Sequence, residues 1–69
     1  MTLLDRFITE RDLDTRELAR LAKISDAFLA RLRSGKSKPS QEDMERIADG
    51  CTWLVTEKVY TWELFEDRR

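Results

Sequence analysis

Apolar positions recur at helical spacing over most of this chain, and a capping residue, a glycine or a proline stands wherever the spacing breaks. In the opening stretch TLLDRFITER, Leu4, Phe7, Ile8 and Arg11 follow that spacing with Leu3 beside them. Thr2 precedes Asp5 by three positions, so a first helix is predicted over about 3–11. A short DLD connection follows, with Leu13 as a buried plug. Asp14 and Glu17 form a variant of the capping box, and Leu18, Ala19, Leu21 and Ala22 supply an apolar face for a second helix over about 15–22. Ser25 caps a third helix over about 26–33, with Leu29 and Leu32 turned inward. Gly35 falls where a left-handed residue ends that helix, and Pro39 keeps it from resuming. Ser40 caps a fourth helix with the stripe Met44, Ile47, Ala48 and Cys51. Gln41, Glu42 and Asp43 fill its first turn, where the helix dipole favours acids, and Gly50 is read as its end.

The last stretch, CTWLVTEKVYTWELFEDRR, is rich in β-branched and aromatic residues. TWLV and VYTW could pair as a short hairpin around TEK, although no Asn-Gly turn is present. The favoured alternative is an irregular segment leading to a short helix from Trp62 to Glu66, capped by Thr61. The expected fold is therefore all-α, a compact bundle of about five short helices, its C-terminal segment a short β-hairpin or irregular. One domain over 1–69 is expected, with a packing or dimerisation segment over about 51–69.

Composition narrows the classes. A chain of 69 residues has room for one small core and little spare stability. Cys51 is the sole cysteine and histidine is absent, so an internal disulfide cannot form and a structural zinc site is implausible. Cys51 reads as a small core residue in a reducing compartment. No apolar run approaches the ~20 residues that span a bilayer. The charged N-terminus does not read as a signal peptide, so a cytoplasmic location is expected with no membrane partner. No nucleophile–base pair, paired-carboxylate site or phosphate-binding glycine loop is present. Neither catalysis nor a small-molecule substrate, cofactor or metal is expected.

Charge changes the picture more. The formal net charge of -1 conceals a block over residues 16–38, where seven bases meet only Glu17 and Asp26, a local +5 between acidic flanks. A polyanion partner fits that footprint. The block coincides with two short helices meeting at a tight turn around Lys23, Ile24 and Ser25, with Ala19 and Ala22 small at the crossing. That is a helix-turn-helix over about 15–33, whose second helix can enter the DNA major groove.

From LARLAKIS through RSGKSKPS to RIADG, the chain resembles the lambda-repressor-like family, the Cro and phage-repressor type of helix-turn-helix. Leu18, Ala19, Ala22, Ile24, Ser25, Leu29, Leu32, Gly35, Lys36, Pro39 and Ser40 carry the likeness, which spans roughly Leu3 to Cys51. It departs at Lys23, which replaces a turn glycine, at Arg33, which replaces a glutamate of a frequent internal ion pair, and at Thr15, where glutamine is common. The resemblance implies a sequence-specific regulator of double-stranded DNA, a repressor or Cro-like protein of phage or prophage type, acting as a homodimer; the small size of the chain leaves a monomer on an asymmetric site as the alternative. It also implies that Asp26, Ala27 and Arg31 face base edges, and that Thr15, Lys36, Lys38 and Ser40 lie near phosphates.

Chemistry supports several of these roles. Arg31 suits bidentate recognition of guanine, Ala27 or Phe28 could pack on a thymine methyl, and Asp26 could accept from a cytosine amine. Arg16, Arg20, Lys23 and Arg33 join Lys36 and Lys38 as sources of sequence-independent attraction, and the starts of the second and fourth helices are expected to offer free N–H groups to phosphate. Trp53, Tyr60, Trp62 and Phe65 are candidates for core or for a dimer or partner interface. A second reading keeps the fold without specific DNA binding, as an antitoxin-like or anti-repressor interaction module. An exposed Phe28 would favour it.

Overall fold

The computed structural model describes residues 2–65, and its five helices run in the order α1 (Leu3–Arg11), α2 (Thr15–Ala22), α3 (Asp26–Ser34), α4 (Gln41–Val55) and α5 (Thr61–Leu64). No strand occurs among the described residues. The helix starts follow from local chemistry. The hydroxyls of Thr2, Ser25 and Ser40 accept from the N–H groups of Asp5, Phe28 and Asp43 at 3.0, 3.0 and 3.1 Å, and the Asp14 carboxylate accepts from Arg16 and Glu17. At α4 the box closes, because Asp43 also accepts from the Ser40 N–H at 3.2 Å. Glu17 does not complete the equivalent box at α2; its carboxylate pairs with Arg20 at 2.6 Å.

The first four helices end in left-handed residues, Asp12 (φ 52°), Lys23 (φ 61°), Gly35 (φ 82°) and Thr56 (φ 59°). Only Gly35 does so without a Cβ penalty, which for the others is about 1–2 kcal/mol each. At Lys23 that cost is offset by two closing bonds, Lys23 N–H to the Arg20 carbonyl at 3.2 Å and Ile24 N–H to the Ala19 carbonyl at 3.0 Å. The turn thereby aims Ile24 back onto the core.

Leu4, Phe7, Ile8, Leu18, Ala19, Ala22, Leu29, Leu32, Ile47, Ala48, Cys51, Val59 and Leu64 form one core, with no buried polar side chain among the described residues. Leu13 packs half-buried against it, as a partial plug. Helices α2 and α4 share the most extensive contact, and Gly50 allows it. Gly50 is buried inside α4 and does not end it; a Cβ there would stand 3.0 Å from Leu18 Cδ1 and 3.3 Å from Leu21 Cβ. The glycine marks a close approach of two helices, not a stop.

The expectation for Trp53 to Val55 is corrected by the same helix. This segment is neither a hairpin strand nor irregular but the last turn of α4, because Leu54 and Val55 pack against the core. Thr52 then ties the link to α5: its hydroxyl donates to the Ala48 carbonyl and accepts from the Val59 N–H, both at 2.9 Å. The final helix starts at Thr61, one residue earlier than expected, with the Glu63 carboxylate accepting from the Tyr60 N–H at 3.0 Å. The expected end at Glu66 lies outside the described residues.

Candidate nucleic-acid interface

Helices α2 and α3 with the turn Lys23–Ser25 form the helix-turn-helix, and the cap at Ser25 sets how α3 leaves it. Asp26, Ala27 and Arg31 are exposed on α3, whereas Leu29 and Leu32 on its other face fill the core. Phe28 is half-buried and packs against the core. The Arg31 guanidinium lies over the Phe28 ring, 5.7 Å from its centroid. Its Nε–H donates to the Ser37 hydroxyl at 3.3 Å, so Arg31 is held between its own helix and the loop beyond Gly35. Ser37 was missed in the sequence, because nothing local shows a loop hydroxyl turning back six residues.

The basic residues fall into two groups. Arg16, Lys23, Arg31, Lys36 and Lys38 are exposed and make no ion pair among the described residues. Arg33 and Arg20 are engaged. Arg33 donates from Nη2 and Nε to Asp5 Oδ1 at 2.7 and 2.8 Å, with the two side chains only 29% and 25% exposed. Arg33 therefore replaces the expected family ion pair with one of its own, joining α3 to α1, and Thr2 strengthens the joint by donating to the Arg33 carbonyl at 2.7 Å. Asp5, 28 residues away, is the other partner that sequence reasoning missed.

Phosphate sites at helix starts are fewer than expected. Asp14 occupies the N–H groups of Arg16 and Glu17, and Ser40 occupies that of Asp43, so those donors are not free. The Ser40 N–H holds the Asp43 carboxyl below the usual range, with the Ser40 hydroxyl and Arg46 adding to that and burial opposing it. Two carboxylates thus sit where an anion would otherwise dock. Thr15 is half-buried at the first position of α2, and the Ser40 hydroxyl is used by its cap.

The aromatic residues of the C-terminal segment are mostly exposed. Trp53, Trp62 and Tyr60 are 76%, 65% and 48% exposed, and the last two rings stack with centroids 5.7 Å apart. Lys58 lies over Tyr60 at 5.5 Å. These three residues are surface and not core; Phe65 is half-buried against the core. No group of His, Cys, Asp and Glu among the described residues is arranged to hold a metal, and no described helix is long and apolar enough to cross a membrane.

A five-helix bundle with an exposed second helix beside unpaired lysines defines the class of helix-turn-helix DNA-binding domains. The model of the Cro/C1-type HTH DNA-binding domain family matches residues 3–50, and the chain belongs to that family. It is a DNA-binding, helix-turn-helix domain of transcription regulation. No curated protein and no solved structure matches it.

Proposed function

We propose that this protein is a sequence-specific regulator of phage-repressor or Cro type, laying α3 in the major groove of an operator. The carrying observation is an exposed Arg31, held by Ser37 and Phe28, with Lys36 and Lys38 exposed and unpaired just beyond the α3 cap. Arg31 reads a base, with Asp26, Ala27 and the edge of Phe28 as its neighbours. Thr15, Arg16, Lys23, Lys36, Lys38 and Ser40 lie towards phosphates, and Arg33 serves mainly to hold α1 against α3. The chain acts in the cytoplasm as one domain, without catalysis or cofactor. Two copies pair through the exposed aromatics Trp53, Tyr60 and Trp62. Selection from random duplex DNA at two salt concentrations tests this reading. It should return a palindromic site whose affinity falls steeply with salt. Return of no enriched sequence overturns it, and an asymmetric site bound by one copy overturns the pairing.

The second reading, a protein-interaction module, draws on the same exposed aromatics. It loses support at Phe28, which is packed against the core and covered by Arg31.

A further inference from the structure

We infer that Ser37 is a specificity-determining positioning residue, which orients the Arg31 guanidinium so that only its terminal fork is offered to a base. This rests on the reading of Arg31 as a base reader. An arginine carries five N–H donors, one on Nε and four on the two Nη atoms. It can meet guanine end-on through both Nη atoms or side-on through Nε and one Nη. Here the Nε–H is already taken by the Ser37 hydroxyl at 3.3 Å, which leaves the end-on fork for guanine O6 and N7.

Both supports of Arg31 are themselves fixed. The Phe28 ring, beneath the guanidinium at 5.7 Å, packs against the core, and its N–H is bound to the Ser25 hydroxyl. Ser37 stands between the left-handed Gly35 and Pro39. The Lys36 N–H donates to the Arg31 carbonyl at 2.9 Å, so the loop starts from the turn of α3 that carries Arg31. A long side chain held in this way loses less freedom when it binds, and its orientation is chosen before DNA arrives. Ser37 touches no base in this arrangement and adds no charge. Its effect is on discrimination between bases and not on general affinity.

The test uses the full chain and the site returned by selection, with that site's guanine replaced in turn by each other base. Ser37→Ala should lower guanine discrimination about 2–10-fold, the range of one lost hydrogen bond. Non-specific affinity, its salt slope and the melting temperature should stay unchanged. Ser37→Thr, which keeps the hydroxyl, should retain discrimination. A second readout needs no DNA: the 15N relaxation of Arg31 Nε should report an ordered side chain in the wild type and a mobile one in Ser37→Ala. If Arg31→Ala abolishes guanine discrimination and Ser37→Ala leaves it intact, positioning by Ser37 is overturned while base reading stands. If Arg31→Ala itself leaves discrimination intact, or selection returns no site, base reading fails and the inference falls with it.

Discussion

Removing Arg33 should weaken the fold and leave the salt dependence of DNA binding alone, although Arg33 belongs to the basic block by sequence. Two of its nitrogens meet one Asp5 oxygen at 2.7 and 2.8 Å, in a site where both side chains are about three-quarters covered. With charge centres ~4 Å apart and an effective dielectric of ~20, the attraction is about 4 kcal/mol. Desolvation and the ordering of two side chains remove more than half of it. A coupling of about 1–2 kcal/mol remains, above that of a fully exposed pair. A double-mutant cycle with Asp5→Asn and Arg33→Met, followed by urea unfolding, measures it. The loss of Asp5 from the first turn of α1 enters both arms of the cycle and cancels. In a domain this small, 1 kcal/mol is a shift in melting temperature of about 4–8 °C. In binding, Lys36→Ala or Lys38→Ala should each reduce the salt slope by about 1, and Arg33→Met should not change it. A coupling of zero, or a slope reduced by Arg33→Met, refutes the division of the basic residues into engaged and free.

Two further outcomes follow from buried positions. Gly50→Ala gains up to about 1 kcal/mol in helix propensity but places a methyl 3.0 Å from Leu18 Cδ1 and 3.3 Å from Leu21 Cβ, so overpacking of about 1–3 kcal/mol should prevail and lower the melting temperature; a rise would show room between α2 and α4. Burial pushes the Cys51 thiol up to about 12 from its ordinary 9.0, against a small opposing pull from Arg11. The native thiol should therefore resist iodoacetamide at pH 8 until the chain unfolds. The thiol's contribution to stability should be level below about pH 9 and decline above it, because only the unfolded thiol releases its proton there; fast alkylation of folded protein would contradict the burial.

Much of this fold is legible in the sequence where the deciding chemistry is local. Thr2, Asp14, Ser25 and Ser40 cap their helices with hydrogen bonds reaching no more than three residues, and Gly35 ends α3 through its own backbone. The failures share a different cause. A glycine reads equally as a helix end or as a close approach, and only the helix lying against Gly50 decides. Thr52, Trp53 and Val55 have strand-like propensity, but the packing of Leu54 and Val55 on the core outweighs it. At the candidate interface the exposed face of α3 follows from its spacing. The division of Arg33 from Lys36 and Lys38 depends on Asp5, 28 residues away, and the hold on Arg31 on a loop hydroxyl.

Because α4 does not break at Gly50, one rod of 15 residues, about 22 Å long, joins the cap beside the lysine loop to the turn that carries Trp53. Along that path no joint separates the lysine loop from Trp53. Two copies held together at Trp53 would act as a caliper with its jaws already set. Such a caliper measures base pairs: one pair added between half-sites moves a jaw by about 3.4 Å and turns it by about 34°. Operator length, as much as operator sequence, would then be what this protein recognises.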